Sequence, residues 1–293
     1  MSDNQSRIAL TGASGQLGRL VVAELLKTVA ADRIVALVRS EAAGASFASQ
    51  GVDWRIADYD RPDTLAAALA GIDRLLLISS NDLAHRIGQH AAVIAAAKAA
   101  GVSFIAYTSV LHADVSPLGL AADHRATELA LRESGLAYAL LRNGWYTENY
   151  FGAIAPALAH GVVLGSSGEG RISAAPRADY AAAAAVVLTS DSLPASQVFE
   201  LAGDNAFTLP EFAAALSRAS GDKPVKYMDM PQAEYKAALL GVGLPEPIAE
   251  LVSDSSAAAA DDVLFDDGQA LSGLIGRKTT PLDESLSAAL AAA

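Results

Sequence analysis

The chain has 293 residues, 52% of them hydrophobic, enough for a large core in one big α/β unit or in a nucleotide domain with a smaller partner. Acidic residues outnumber basic ones 33 to 21, and the formal net charge of −12 argues against nucleic acid, whose binding rests on neutralising phosphates. The absence of cysteine excludes a disulfide, a thiol nucleophile and an iron–sulfur cluster.

Five scattered histidines form no H-E-x-x-H or H-x-x-x-H pair, so no metal site is expected. No apolar run is long enough to span a bilayer, and the start, MSDNQSR, is polar. Neither membrane insertion nor a signal peptide is expected, and the protein reads as cytoplasmic.

In chain order, the apolar run Ile8-Ala9-Leu10 breaks into a loop with glycine at 12, 15 and 18, and Leu17, Val21 and Leu25 then recur at helical spacing. This is strand, turn, helix. In a dinucleotide-binding unit the first glycine permits a tight turn, the second admits the pyrophosphate to the backbone and the third lets helix pack on strand. The free N–H groups at the helix start hold the phosphates. The spacing here is G-x-x-G-x-x-G rather than the more usual G-x-G-x-x-G.

Arg33 to Val38 reads as a second strand, followed by Arg39. An acidic residue near this place binds a ribose 2′-hydroxyl and an arginine suits a 2′-phosphate, so Arg39 points to NADPH, while nearby Glu41 leaves NADH open. Val52 to Ala57 is a third strand ending at Asp58, which either receives an adenine amino group or only shapes a turn. Asp60 is a good N-cap for the helix begun by Pro62. Asp73 to Ile78, almost wholly apolar, is the fourth strand, running into Ser79-Ser80-Asn81. An alanine-rich helix follows from Ala84 to Ala100, then a fifth strand, Val102 to Tyr107, with Thr108-Ser109 after it. A helix from about Asp123 to Glu133 precedes a sixth strand, Leu136 to Leu141, and the sequence Arg142-Asn143-Gly144-Trp145-Tyr146.

The alternation specifies a parallel sheet with helices on both faces, a Rossmann-type doubly wound α/β fold. Such sheets bind ligands beyond the carboxyl ends of their strands. Those ends read Gly12, Arg39, Asp58, Ser79, Ser109 and Asn143, polar or glycine at every place. Past about residue 150 the pattern changes to two short strands, Val162 to Leu164 and Gln197 to Leu201, among helical segments. Thr208 with Glu211 makes a capping box, Pro245 and Pro247 interrupt helix, and Thr280-Pro281 opens the last helix. The expected division is a dinucleotide-binding domain over 1–150 and a smaller, mostly helical substrate-side lobe over 151–293.

The segments TGASGQLGRLVVAELL, FIAYTSVLHAD and LLRNGWYTENY, with LAGD at Leu201 and the LIGR-TTPL pattern near the end, resemble the NmrA-like branch of atypical short-chain dehydrogenases. The resemblance runs over essentially the whole chain. It implies NADPH-dependent reduction of a quinone or similar planar molecule by direct hydride transfer, without flavin or metal. It further implies that Gly12, Ala13, Ser14, Gly15, Gln16 and Leu17 bind the pyrophosphate and Arg39 the 2′-phosphate. Asp58 and Ser79, at their strand ends, complete the nucleotide side. Asn81, Asp82 and Leu83 would line the cofactor groove, and Asn143, Gly144, Trp145, Tyr146, Thr147 and Glu148 would surround the nicotinamide and the substrate pocket. His112, Trp145 and Tyr146 are candidates to line that pocket. A homodimer is compatible with the sequence, which does not fix the number of subunits.

One departure bears on mechanism. Classical short-chain dehydrogenases pair tyrosine with a lysine four residues on, the lysine lowering the phenol's pKa. Here Tyr138 meets Arg142, Tyr146 meets Tyr150 and Tyr235 meets Leu239, and the helix carrying the pair in relatives reads His124-Arg125-Ala126-Thr127-Glu128. A quinone asks less, since hydride addition yields an aromatic hydroquinone anion. Asn143 or Tyr146 then suffices as hydrogen-bond donor to the developing oxyanion. Two other readings stay open: a dinucleotide-sensing regulator without turnover, favoured by the missing pair, and a reductase of another planar electrophile such as a triphenylmethane dye.

Overall fold

The structure is a computed structural model that describes residues 6–192, 195–221 and 223–292; the first five residues of the polar start lie outside the described residues. β1 (Ile8–Leu10) leads to α1 (Gln16–Leu25), β2 (Ile34–Val38) to α2 (Glu41–Ala48), β3 (Asp53–Ile56) to α3 (Pro62–Ala68), β4 (Arg74–Leu77) to α4 (Arg86–Ala99) and β5 (Phe104–Val110) to α5 (Ala121–Ser134). β6 (Ala137–Asn143) ends where the alternation stops. After it come α6 (Ile154–His160), β7 (Val162–Gly165), α7 (Arg177–Thr189), β8 (Ser196–Leu201), α8 (Leu209–Ala219) and β9 (Lys226–Asp229). The chain closes with α9 (Gln232–Gly241), α10 (Glu246–Ala259), α11 (Ala270–Ile275) and α12 (Leu282–Ala291).

The main sheet has the order β3-β2-β1-β4-β5-β6-β8. β1 sits between β2 and β4, parallel to both, with Ile8 opposite Ile34 on one side and Arg74 on the other. The strand order reverses at β1, so the crevice for a ligand opens above β1 and β4. Leu75, Leu76 and Leu77 are fully buried, as expected of a strand covered on both faces. Ala9, Val35, Leu37, Leu75, Leu77 and Ile105 pack with Leu65 of α3 and Val93, Ile94 and Ala97 of α4 in one apolar cluster. Each large aliphatic side chain so buried contributes about 1.5–3 kcal/mol, which fixes the sheet as the frame for its loops.

The chain divides into two compact units. The first runs to Ala113 and resumes over Asp123–Asn143 and Tyr180–Phe199; the second takes Asp114–Ala122, Gly144–Asp179 and the chain from Glu200 on. Helical residues past 150 thus rejoin the first unit. In the second, β7 and β9 pair in parallel, Val162 opposite Lys226. The capping box of α8 forms as its sequence predicts, Thr208 Oγ accepting from the Glu211 N–H and Glu211 from the Thr208 N–H.

Several boundaries differ from the sequence reading. β5 continues to Val110 and β6 to Asn143, so Ser109 lies inside its strand, not past it. The cause is that the Thr108 and Ser109 hydroxyls find partners, Thr108 accepting from the Ser79 N–H at 2.9 Å and Ser109 donating to Glu128 at 2.6 Å. Arg61, not Asp60, occupies the N-cap of α3; the Asp60 carboxylate accepts instead from Gln89 Nε2 at 2.9 Å. β9 has no counterpart in the sequence reading. Among the described residues no helix is long and apolar enough to cross a membrane, and no group of three or more His, Cys, Asp or Glu could hold a metal ion.

Candidate functional site

The turn after β1 is built on sterics. Thr11 donates its N–H to the Leu76 carbonyl at 2.9 Å, and its hydroxyl accepts from the Ile78 N–H at 3.0 Å, locking the ends of β1 and β4 together. Gly12 then turns with φ of 60°, which a side chain would resist, and its carbonyl accepts from the Gly15 N–H at 2.9 Å. A Cβ on Gly18 would stand 2.3 Å from the Gly12 oxygen and 2.7 Å from the Ala13 Cα, so α1 lies on the turn as closely as backbone allows. Gly15 is the N-cap of α1, with no side-chain cap and no carboxylate in the first turn. The helix start, with its N–H groups and positive dipole end, is available to an anion. These features fit a dinucleotide pyrophosphate, and Gly12 to Leu17 are the residues that would hold it.

Next along the carboxyl edge, Arg39 follows β2 and is exposed, and Ser40 caps α2 by accepting from the Ala43 N–H. Asp58 serves a turn: its carboxylate accepts from Arg61 Nε at 3.1 Å and from the Asp60 N–H at 3.2 Å. Tyr59 donates to the Ile78 carbonyl, and burial pushes its phenol pKa up, against the Thr11 hydrogen bond and the Arg39 charge. Arg39, Tyr59 and the glycine turn therefore share one neighbourhood of the first unit.

The segment after β4 is held from below. Ser80 gives its N–H to His90 Nε2 at 3.0 Å and its hydroxyl to Gln89 at 2.6 Å, while Arg86 Nε donates to the Ser80 carbonyl at 2.8 Å. Because Nε2 accepts, the His90 proton lies on Nδ1 and is donated to Thr127, whose hydroxyl in turn donates to the Asp123 carbonyl. Burial, and next the Arg86 charge, pushes the His90 pKa down to about 3. His124, hydrogen-bonded to Tyr107 at 2.7 Å, is pushed to about 3 by burial first and by Arg86 and His90 after it. Asn81 stands exposed above this network, with Asp82 and Leu83 half-buried beside it and Asp82 paired to His85.

At the end of β6, Asn143 is buried and its carbonyl accepts from the Leu111 N–H at 2.9 Å, which places His112 directly after the β5–β6 pairing. His112 has φ of 52°, a left-handed conformation uncommon for a residue with a side chain.

In the second unit, Trp145 and Thr147 lace Gly144–Glu148 to Ala175 through Ala175 N–H to Trp145 O and Thr147 N–H to Ala175 O. The Glu148 carboxylate accepts from the Arg177 N–H at 2.9 Å, and Arg177 Nη2 donates to Asn149 at 3.0 Å. So anchored, the Arg177 guanidinium lies 4.4 Å from the centre of the Tyr146 ring. Sequence reasoning missed Arg177, and the signal, an arginine opening a helix far along the chain, is too general to have found it.

The model of the family described as NAD(P)H-binding matches residues 12–191, from the first glycine of the turn to just past α7. The chain belongs to this family. Quinone oxidoreductase 2 of Escherichia coli is 53% identical over 280 residues, covering 96% of this chain and 97% of that protein. The crystal structure of that NADPH-dependent enzyme complexed with NADPH superposes with a TM-score of 0.94 at 52% identity, covering 97% and 99% of the two chains. The triphenylmethane reductase of Citrobacter sp., complexed with NADP(H), follows at a TM-score of 0.92 and 38% identity, covering 96% and 99%. As an NAD(P)H-binding protein the chain has its glycine turn where the family match begins. The doubly wound parallel sheet expected from sequence is the fold it has.

Proposed function

We propose that this protein is an NADPH:quinone oxidoreductase that acts by direct hydride transfer, without flavin or metal. The observation that carries the reading is the Gly12–Gly18 turn, closed to any Cβ at Gly18 and opening onto an uncapped helix start. The whole-length likeness to quinone oxidoreductase 2 directs it to quinones.

NADPH, when bound, would supply the hydride, two electrons and one hydrogen, and solvent the single proton that converts the hydroquinone anion to hydroquinone. The chain's own contribution is binding and orientation. Backbone N–H groups of Gly12 to Leu17 take the pyrophosphate and Arg39 takes the 2′-phosphate. Ser79 and Asn81 to Leu83 border the groove on a segment that His90 and Gln89 keep rigid. Asn143 in the first unit and Tyr146 in the second are each a candidate hydrogen-bond donor to the reduced substrate oxygen, and His112 and Trp145 are each a candidate pocket residue. α5 offers no substitute for the tyrosine–lysine pair, because His124 bonds Tyr107 and Glu128 is held by Arg142. This suits an acceptor whose reduced anion is aromatic.

The test is NADPH oxidation with 1,4-benzoquinone or a naphthoquinone and no added flavin. Turnover requiring both protein and quinone is the expected result. Turnover with triphenylmethane dyes alone would redirect the substrate reading, and tight NADPH binding without turnover would make the chain a sensor.

A further inference from the structure

We infer that Arg19, on α1, is a second arm of the 2′-phosphate site and shares with Arg39 the selection of NADPH over NADH. The inference rests on the NADPH reading above and concerns a residue outside the glycine motif.

Most arginines of this acidic chain are paired with a carboxylate within 4.0 Å. Arg19 and Arg39 are not: among the described residues neither has an acid within ion-pair distance. With 33 acidic residues against 21 basic, an arginine without one is the exception. Arg33, likewise without one, is half-buried and donates to the Ser6 carbonyl at 2.8 Å, whereas Arg19 and Arg39 stand exposed, in the first turn of α1 and just after β2, on the ligand edge of the sheet.

Arg19 is also held in place. Its Nε donates to the Ser14 carbonyl in the glycine turn at 2.9 Å, and its Nη1 donates to Ser46 Oγ on α2 at 3.3 Å. The guanidinium lies 5.7 Å from the centre of the Phe47 ring, a cation–π platform that packs the arginine stem while leaving its head exposed. Ser46 shares a helix face with Ala43, whose N–H is bound by the N-cap Ser40, the neighbour of Arg39. The head of Arg19 thus spans the gap between the turn that takes the pyrophosphate and the helix that begins beside Arg39. Its Nη2 makes no hydrogen bond among the described residues and remains to donate.

An adenosine ribose whose pyrophosphate lies on Gly12–Leu17 presents its 2′ substituent toward the end of β2. A 2′-phosphate monoester there is a dianion with several acceptor oxygens, and two planar guanidinium groups match it better than one. A ribose 2′-hydroxyl, being neutral, gains little from either.

The experiment is titration calorimetry of the apo protein with NADPH, NADH and 2′,5′-ADP, for the wild type, Arg19→Gln, Arg19→Lys and Arg39→Ala. Arg19→Gln is expected to weaken NADPH and 2′,5′-ADP about tenfold, the low end for a charge-assisted contact at an exposed site, with NADH changed less than about twofold. Arg19→Lys, keeping the charge, should recover part of the loss. Equal weakening of NADPH and NADH would make Arg19 a brace of the glycine turn through Ser14 and overturn the proposal. Selective loss in Arg39→Ala but not in Arg19→Gln would overturn it while leaving the NADPH reading intact. A wild type that binds NADH as well as NADPH, with neither variant selective, would remove both.

Discussion

Arg142 and Glu128 form a two-pronged ion pair, Nε to Oε1 at 2.9 Å and Nη2 to Oε2 at 2.8 Å, with both side chains 4% exposed. Ser109 adds a third bond to the same carboxylate at 2.6 Å. The pair ties α5 to the end of β6, one residue before Asn143, in the region where classical relatives use a helix for acid–base chemistry. Here that helix serves as an anchor. Removing Arg142 leaves the buried Glu128 carboxylate with only the Ser109 hydroxyl and the half-exposed Arg132, whose Nη2 lies 3.3 Å away, so the cost approaches that of a broken buried pair, about 3–5 kcal/mol. Arg142→Met should therefore lower the urea midpoint strongly, and the triple variant Ser109→Ala, Glu128→Leu, Arg142→Met should regain most of the loss, since apolar replacement of a whole buried pair is often neutral. A single variant as stable as the wild type would deny the pair its anchoring role.

Gly18→Ala tests the turn itself. The added methyl would meet backbone atoms, the Gly12 carbonyl oxygen at 2.3 Å and the Ala13 Cα at 2.7 Å, and neither can step aside as a flexible side chain could. α1 must move off the turn, an overpacking cost of about 1–3 kcal/mol. NADPH and NADH should weaken together, by about tenfold or more, because the shared pyrophosphate contacts are displaced; a cost of 1.4 kcal/mol is already a factor of ten. Calorimetric Kd values with a parallel thermal melt read both effects. Unchanged binding of both dinucleotides would remove the turn from the site.

Two buried histidines give the stability a defined acid dependence. His90 and His124 are held near pKa 3 chiefly by burial, against an ordinary value of 6.5. Their folded pKa values are depressed, so between about pH 6.5 and 3 the unfolded chain takes up protons that the fold refuses. The stability from keeping them neutral is complete above 6.5 and is lost as the pH falls, by about 1.4 kcal/mol per pH unit for each group. Urea midpoints at pH 7, 5.5 and 4.5 should fall accordingly. His90→Gln, whose amide oxygen can still accept from the Ser80 N–H, should be less stable at pH 7 yet show a shallower fall. An unchanged slope would mean that His90 is charged in the fold.

What could be read in the sequence divides along the range of the interaction. The glycine turn was legible because its demands are local: a positive φ at Gly12 and a close approach at Gly18 follow from residues within one turn. Arg39 was legible by its place just after an apolar strand. Thr108 and Ser109 misled, since hydroxyls at a strand end look like a terminus until Ser79 and Glu128 are seen to satisfy them. β9 escaped because it is largely exposed and pairs with β7 alone, so no apolar alternation marks it. The partners of Arg142, Arg177 and Arg19 come from separate elements, and no periodicity joins them.

Tyr146→Phe probes the chemistry most directly. The ring keeps its shape and its stacking on Arg177, 4.4 Å away, so the substitution removes only the hydroxyl. If that hydroxyl donates to the reduced quinone oxygen, kcat should fall with KM for NADPH unchanged, because the contact strengthens only as charge develops. The expected loss is about tenfold, below the 10²–10³ typical of an oxyanion donor, because the hydroquinone anion spreads its charge over an aromatic ring. The loss should shrink for acceptors whose reduced anions are weaker bases, and a series of substituted benzoquinones reads that trend. Asn143→Ala in the same series separates the two donors: a flat response in Tyr146→Phe with a steep one in Asn143→Ala would assign the hydrogen bond to the amide.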